Sequence, residues 1–234
     1  MSQQQSAQHQ RQAIQARISA AEATYNRDAG SVTLIGASKT KSPAMVTDFA
    51  KAGMTEFGEN YLQEAQIKIE ALESLNLSWH FIGQIQSNKT KTIARLFDWV
   101  HGVDRLKIAR RLAEQNLKSN PIKLLIQLNL DNEPSKGGVA IEQAAELAEQ
   151  TVQLLSQDHK AELKGFMAIP KACDNQQDQR ATFAKARELM SLTNQRYGLR
   201  LDQLSMGMSG DLEAAIAEGA TMVRVGTDLF GARK

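Results

Sequence analysis

Short runs of apolar residues alternate along the chain with stretches in which apolar residues recur at helical spacing. The apolar runs predict eight strands, at residues 31–38, 54–60, 77–83, 97–103, 122–130, 162–170, 202–209 and 221–227. A helical pattern follows each run, and this order implies right-handed crossovers and parallel pairing. The runs are almost continuously apolar, which is typical of strands that are buried on both faces.

The helical stretches carry signals at their ends. Pro43 stands near the start of the stretch after the first strand and Gly53 just past its end, the usual asymmetry of helix ends. Eight strand–helix units in a chain of this length predict a single (β/α)8 TIM-type barrel, an α/β fold. An open doubly wound sheet is the main alternative, and it is weakened because no GxGxxG pattern follows the first strand.

The residues before the first strand predict a segment outside the barrel. Residues 1–30 begin with a glutamine-rich stretch that we expect to fray. Ile14, Ile18 and Ala21 then recur at helical spacing and predict a docked helix. Residues 31–234 contain the barrel, and no linker divides the chain, so we expect one domain overall. The stretch at 132–138 is predicted to be one long loop.

Composition and charge exclude several classes of protein. The 234 residues carry a formal net charge of +2, so no long-range field favours nucleic acid. The single cysteine, Cys173, excludes a disulfide framework and fits a reducing compartment. No window approaches the apolar length of a membrane span, and the N-terminus does not resemble a signal peptide, so we expect a cytoplasmic protein. The histidines show no ligand spacing, so no metal is assigned.

A lysine stands where the first strand ends, in the segment ASKTKSP at 37–43. In a barrel of this kind, the carboxyl ends of the strands carry the chemistry. Partial desolvation lowers the pKa of an amine and makes it nucleophilic, so Lys39 is a candidate for a Schiff base with a carbonyl compound. A solvated lysine at a strand end is the alternative interpretation of this segment alone.

Two turns near the end of the sequence are candidates for binding an anion. Ser209-Gly210-Asp211 follows the seventh strand and Gly226-Thr227 follows the eighth, and each precedes a helical turn. Backbone N–H groups at a helix start favour anions, and the loops after strands seven and eight are the usual phosphate site of this barrel. Ordinary helix capping is the alternative. A Schiff-base lysine that faces a phosphate site suggests pyridoxal 5′-phosphate (PLP).

An arginine, Arg224, interrupts an otherwise apolar strand. A buried guanidinium needs a partner, and two hypotheses supply one: an acidic residue in the core, or the pyridine nitrogen of PLP. Arginine donates to that nitrogen and leaves it unprotonated. Many PLP enzymes place a carboxylate there instead, so an arginine gives a weaker electron sink.

Five segments resemble the pyridoxal phosphate homeostasis proteins, the YggS/PROSC family. They are ASKTKSP, FGENYLQEAQIKI, WHFIGQIQSNKTK, GFMAI and LSMGMSGDLEAAIAEGATMVRVGTDLFGAR, and the resemblance spans about residues 31–233. It implies a barrel like the N-terminal domain of alanine racemase, with PLP as an internal aldimine of Lys39. It also implies phosphate contacts from Ser209, Gly226 and Thr227, a ring-nitrogen contact from Arg224, and pocket positions for Asn60 and Met208.

The resemblance implies intracellular PLP homeostasis, with effects on the balance of amino and keto acids. PLP is then the ligand, and PLP-dependent apo-enzymes are candidate recipients. We expect a monomer, because the β-domain that forms the usual racemase dimer interface does not follow the eighth unit. Lys89 and Lys136, in two other rim loops, are either solvated or contacts for a second anion or PLP.

A racemase needs a base on each face of the bound amino acid, and this sequence offers few candidates for the second one. Of its three tyrosines, Tyr61 is the only one predicted near the rim. We therefore predict a PLP-binding protein without catalytic turnover. An amino-acid racemase is the main alternative, and a Schiff-base aldolase acting on a sugar phosphate without a bound cofactor is another.

Overall fold

Eight parallel strands close into a barrel. A computed structural model describes residues 3–131, 137–156 and 160–231. The strands described are β1 (Thr33–Ala37), β2 (Glu56–Glu59), β3 (Ser78–Phe81), β4 (Trp99–Val103), β5 (Ile122–Asn129), β6 (Val139–Ala140), β7 (Ala161–Ala168), β8 (Gln203–Ser205) and β9 (Met222–Val225). β9 pairs with β1 and β4 with β5, so the sheet closes, and the two-residue β6 pairs with β5 beside it. The predicted barrel is confirmed, and the open doubly wound sheet is wrong.

Helices surround the barrel. They are α1 (Gln3–Thr24), α2 (Pro43–Lys51), α3 (Leu62–Ala71), α4 (Thr90–Leu96), α5 (Leu106–Gln115), α6 (Ile141–Leu155), α7 (Gln176–Tyr197), α8 (Leu212–Ala217) and α9 (Thr227–Phe230). The start of α2 follows from its sequence, because Ser42 caps it by accepting from the Met45 N–H at 3.3 Å and Pro43 needs no acceptor in the first turn. In the described part of the chain, no helix combines the length and apolarity that crossing a bilayer requires.

Apolar side chains form two separate clusters. The larger one lies between the strands and the helices, with Phe57, Phe97, Phe166 and Phe183 among its fully buried members. The smaller one fills part of the barrel interior with Ile35, Leu125, Met167 and Met222. Burial of this apolar surface from water is the main force that stabilises the closed sheet.

Helix α1 packs against the outside of the barrel. It starts at Gln3, so it includes the described part of the glutamine-rich stretch, and the fraying of that stretch stays a prediction. Ala7, Ile14, Ile18 and Ala21 are buried, which gives α1 one apolar stripe that docks on the other helices, mainly α2, α8 and α9. The division of the chain at residue 30 stays a prediction.

Candidate functional site

Lys39 lies in a tightly held turn at the carboxyl end of β1. It is half-buried, and the turn begins where the Ser38 N–H donates to the Gly58 carbonyl at 3.0 Å. The next residue, Thr40, has a φ of +66°, a left-handed conformation that is strained for a β-branched residue. Its N–H donates to the Glu64 carboxylate at 2.9 Å. The backbone that carries Lys39 is therefore fixed on both sides of the lysine.

A buried cluster supports this turn from beneath. Lys68 Nζ donates to the Ser38 carbonyl and to Glu59 Oε1, each at 2.7 Å, and Ser38 Oγ donates to the same carboxylate oxygen at 2.5 Å. All three residues are buried, and desolvation raises the pKa of Glu59, opposed by its bonds to Lys68 and Ser38. The sequence analysis missed this cluster, because nothing in the sequence distinguishes Lys68 from an ordinary solvent-exposed lysine on a helix.

The turn after β9 lies directly beside the lysine turn. β9 pairs with β1 in register, Gly36 opposite Val225, so Gly226 adjoins Ala37. A Cβ on Gly226 would lie 3.4 Å from the Ala37 carbonyl oxygen, which is a close approach. Gly226 caps α9, whose first N–H groups have no intrahelical acceptor, and Thr227 is exposed. The structure thus brings Lys39, Gly226 and Thr227 to one part of the rim.

The turn after β8 is closed by a reciprocal pair of hydrogen bonds. The Met208 N–H donates to Asp211 Oδ1 at 2.6 Å, and the Asp211 N–H donates to the Met208 carbonyl at 3.2 Å. Ser209 and Gly210 form the tip, and among the described residues their N–H groups have no acceptor. The helices that follow the two turns are short, six residues in α8 and four in α9. Local N–H groups and hydroxyls, rather than long helix dipoles, would therefore hold an anion here.

Arg17 of α1 connects the two turns, and the sequence analysis did not assign it to the site. Its guanidinium donates to the Ser209 carbonyl at 2.8 Å, pairs with Glu213 of α8 at 2.7 Å and pairs with Asp228 of α9 at 2.9 Å. These ion pairs reduce the negative charge that Glu213 and Asp228 bring close to the candidate anion site. No feature of a glutamine-rich helix marks Arg17 in advance, because its partners lie about two hundred residues further along the chain.

Arg224 is buried inside the barrel. Its Nη1 donates to the Ser205 carbonyl at 2.6 Å and to Ser205 Oγ at 2.7 Å, and its Nη2 donates to the Ala168 carbonyl at 2.9 Å. Within the described residues no carboxylate lies within 4.0 Å of the guanidinium, so its hydrogen-bond partners are neutral oxygens instead of an ion-paired acid. Burial lowers the pKa of Arg224 to about 10, opposed by the charge of Asp211, and the guanidinium is still charged at neutral pH.

Asn60 borders a cavity at the mouth of the barrel. The cavity has a volume of about 240 Å³ and is lined by Asn60, Ile82, Gly83, Gln84, Gln127, Gly137 and Ile169. Asn60 Oδ1 is buried and has no hydrogen-bond partner among the described residues, which is costly for a polar atom unless a ligand donates to it. Gly83 is required beside it, because a Cβ would lie 2.2 Å from the Asn60 carbonyl oxygen.

The remaining rim candidates line another groove or fall outside the described residues. Lys89 and Tyr61 line a second groove of about 450 Å³ between α3 and α4. Tyr61 is 55% exposed and precedes α3. Lys136 and most of the predicted loop at 132–138 fall outside the described residues. A second anion or PLP contact at Lys89 or Lys136 stays a prediction.

Two histidines, His80 and His101, are buried inside the barrel. His80 Nδ1 lies 2.9 Å from His101 Nε2, and the His80 ring stacks on Trp99. Burial lowers the pKa of His80 and, more strongly, that of His101, where the nearby charge of Arg224 adds to the effect. Among the described residues, no cluster of three or more histidine, cysteine or acidic side chains is arranged to hold a metal ion.

The buried histidines predict a loss of stability in mild acid. Below the ordinary histidine pKa of about 6.5, the unfolded chain binds protons at His80 and His101 that the folded protein does not bind. The stabilisation is therefore complete above that pH and falls below it, with a slope of up to about 1.4 kcal/mol per pH unit for each histidine. Urea unfolding from about pH 7 to pH 5 measures the slope. NMR signals of the His80 and His101 imidazoles that titrate near pH 6.5 in the folded protein would contradict it.

The fold and the rim define a class: a parallel (β/α)8 barrel in which a lysine after the first strand adjoins the turn after the last. The family model described as the alanine racemase N-terminal domain matches residues 10–234. A pyridoxal phosphate homeostasis protein of Pseudomonas aeruginosa is 51% identical over 94% of this chain and 93% of its own length. The corresponding protein of Vibrio cholerae is 44% identical over 94% and 93%. The chain therefore belongs to the family of pyridoxal phosphate homeostasis proteins.

Solved structures agree with this assignment. PipY of Synechococcus elongatus, with PLP bound, matches with a TM-score of 0.77 and 36% identity over 92% of this chain and 100% of that chain. Alanine racemase of Corynebacterium glutamicum matches with a TM-score of 0.69 and 15% identity over 98% of this chain and 62% of that chain. The second likeness shows the fold alone.

Proposed function

We propose that this protein binds PLP at the carboxyl rim of the barrel through Lys39 and serves PLP homeostasis in the cytoplasm. One observation carries the proposal: Lys39 adjoins the Gly226 turn, while Arg224 projects from the neighbouring strand with N–H groups to spare. A nucleophilic amine, an anion-binding turn and a fixed donor are what an aldehyde, a phosphate and a pyridine nitrogen require.

The residues present fit PLP by their hydrogen-bonding chemistry. The N–H groups of Ser209 and Gly210 and the hydroxyls of Ser209 and Thr227 are donors for a phosphate. Arg224 has five N–H donors and three hydrogen bonds, so two donors have no acceptor among the described residues. The unpartnered Asn60 Oδ1 accepts from a hydroxyl or an N–H donor.

In the proposed covalent step, Lys39 provides the amine. With PLP bound, this amine would supply the nitrogen of a C=N bond to the aldehyde carbon with loss of water, and hydrolysis would reverse the change. The fixed turn holds the backbone of Lys39 at the rim. Met208 lies next to the Ser209 turn, where it is half-buried and packs at the edge of the proposed site.

Arg224 limits the chemistry that the bound group supports. A guanidinium that is still charged at neutral pH donates a hydrogen bond to the ring nitrogen and does not give up its proton. The ring is then a weaker electron sink than a pyridinium, which suits a protein that stores a reactive aldehyde. This property supports PLP holding, with effects on amino- and keto-acid balance, more than turnover of amino acids.

Absorption spectroscopy tests the proposal directly. Titration of the PLP-free protein with PLP should replace the aldehyde spectrum by that of an imine, and borohydride should make the adduct permanent. A sugar-phosphate aldolase would show no such change with PLP and would be trapped by borohydride only with its ketose or aldose substrate. A protein that leaves the PLP spectrum unchanged at a several-fold excess of protein would overturn the proposal.

Racemisation is the second candidate function, and we predict that it is absent at useful rates. Tyr61 is the one tyrosine near the rim in the described chain, and its 55% exposure and place before α3 suit a surface residue better than a second base. Alanine and other common amino acids should be racemised at well below about 1 per second, the low end of ordinary enzymes. Faster turnover that Tyr61→Phe abolishes would move the protein to the racemases.

The partners of the proposed function follow from the chemistry of the ligand. A reversible imine can pass PLP to the active-site lysine of an apo-enzyme, so PLP-dependent apo-enzymes are the proposed recipients. We also propose that the protein is a monomer. Size-exclusion chromatography with light scattering checks the monomer, and a dimer mass would contradict it.

A further inference from the structure

A chain of hydrogen bonds crosses the barrel interior from Arg224 to Glu56. Arg224 Nη1 lies 2.7 Å from Ser205 Oγ, which lies 2.9 Å from His101 Nδ1. His101 Nε2 lies 2.9 Å from His80 Nδ1, and His80 Nε2 lies 2.7 Å from Glu56 Oε2. The five residues come from β9, β8, β4, β3 and β2. All are buried except Glu56, whose side chain is 27% exposed at the start of β2, the end of the barrel opposite the rim.

The Glu56 carboxylate and the neutral state of both imidazoles determine the direction of these hydrogen bonds. Arginine only donates, so Ser205 Oγ accepts from Arg224. The single proton of each ring is on Nε2, facing the next acceptor toward Glu56, so the Ser205 hydroxyl donates to His101 Nδ1. His101 then carries its proton on Nε2 and donates to His80 Nδ1. His80 in turn donates from Nε2 to the Glu56 carboxylate. The opposite direction would set the unprotonated Nε2 of His80 against a carboxylate, with no hydrogen between them.

The ionisation of the members agrees with this direction. Burial lowers the pKa of both histidines, which keeps the imidazoles neutral, as a chain with one hydrogen per contact requires. The pKa of Glu56 is lowered overall, since its hydrogen bonds to His80 and Ser78 outweigh desolvation, so this end is a carboxylate. The neutral imidazoles of His80 and His101 thus lie between the Arg224 guanidinium and the Glu56 carboxylate at the other end of the hydrogen-bond chain.

We propose that Glu56, His80, His101 and Ser205 are positioning residues, which hold Arg224 in the orientation that meets the ring nitrogen of PLP and couple its charge to Glu56. This inference rests on the proposed function. No carboxylate of the described residues lies within 4.0 Å of the Arg224 guanidinium; the charge of Asp211, which raises the pKa of Arg224 against the effect of burial, acts from beyond contact distance. A buried charge without a counterion in contact is costly. Bonds in such a chain polarise one another at low dielectric, so the distant carboxylate stabilises the guanidinium through its neighbours.

Ser205→Ala breaks the chain of hydrogen bonds at its contact with Arg224. The change removes one acceptor of the guanidinium and the donor to His101, while the backbone bonds of Arg224 to residues 205 and 168 persist. We expect the dissociation constant for PLP to rise about tenfold, the cost of one hydrogen bond to a charged group. Thr193→Val is the matched control, because it removes a buried hydroxyl that bonds only within α7, and it should leave PLP binding unchanged.

An analogue of PLP whose ring nitrogen is replaced by CH separates positioning from general stability. It keeps the aldehyde and the phosphate, so the wild type and Ser205→Ala should bind it with affinities within about twofold. A merely structural role of Ser205 would weaken the binding of PLP and of the analogue by the same factor, and that result would overturn the inference. If the wild type binds neither compound, the proposed function fails, and the positioning role fails with it.

Nitrogen-15 NMR of the PLP-free protein tests the chain itself and does not depend on PLP binding. His80 and His101 should both be neutral, with the proton on Nε2 and none on Nδ1. In Ser205→Ala, His101 loses its donor, and its signals should shift while its neutral state persists. A proton on Nδ1 of either histidine in the wild type would show that the chain does not run from Arg224 to Glu56 and would overturn the inference, even if PLP binds.

Discussion

Lys39→Ala should abolish the adduct that borohydride makes permanent, and this is the largest effect we expect from a single substitution. The C=N bond requires a primary amine at this position, and alanine has none. The fold should survive, because the Lys39 side chain is half-buried at the rim, whereas the turn is held by backbone bonds of Ser38 and Thr40. Intact mass spectrometry after reduction, together with circular dichroism, measures both outcomes.

Lys41→Ala is the matched control for this experiment. Lys41 lies two residues away in the same turn, and its Nζ donates to the Gly231 carbonyl at 3.2 Å. The variant should therefore keep the adduct at the wild-type level. Peptide mapping of the reduced wild-type protein is the decisive measurement: a pyridoxyl group found mainly on Lys41, Lys89 or Lys136 would show that the assignment of the amine is wrong.

Removal of both hydroxyls of the proposed phosphate site should weaken PLP binding by at least one to two orders of magnitude. Each charge-assisted hydrogen bond to a phosphate contributes roughly 1.5–3 kcal/mol, and about 1.4 kcal/mol corresponds to a factor of ten. The double variant Ser209→Ala, Thr227→Val leaves the scaffold in place, because Arg17 binds Ser209 through its carbonyl and α9 is capped at Gly226. Absorption titration gives the dissociation constants.

Pyridoxal, which lacks the phosphate, is the control ligand for the double variant. It should bind poorly to the wild type and should be nearly indifferent to the loss of the two hydroxyls. Unchanged PLP affinity in the double variant would place the phosphate elsewhere. The groove that contains Lys89 would then be the next region to test, since it offers a cation at another part of the rim.

The barrel could be predicted from local pattern because each strand and helix is specified by its own residues. Continuous apolar runs such as 122–130 and 221–227 became β5 and β9, and the helix-end signals at Pro43 and Gly53 bracket α2 as expected. Parallel strands of a barrel end at the same rim, so a lysine after β1 and glycine turns after β8 and β9 had to share that rim.

Contacts that link distant parts of the chain could not be predicted in this way. Arg17 finds its partners 192 to 211 residues away, and His101 meets Ser205 at a separation of 104. Such pairs depend on the closure of the barrel and on strand register, which decide which side chains share its interior. The extent of α1 depends on such contacts too, because Ala7, Ile14, Ile18 and Ala21 bury an apolar stripe against other helices.

The amino-acid sequence was thus sufficient for the fold, for its resemblance to pyridoxal phosphate homeostasis proteins and for the rim position of Lys39, because these depend on periodicity and on residues close together in the chain. The surroundings of each group required the closed barrel. Two interpretations were open for Arg224, and the barrel shows it bonded to neutral oxygens and joined to Glu56 by a chain of four hydrogen bonds. Burial and long-range contact set the charge and orientation of such groups, and neither is encoded in any short stretch of sequence.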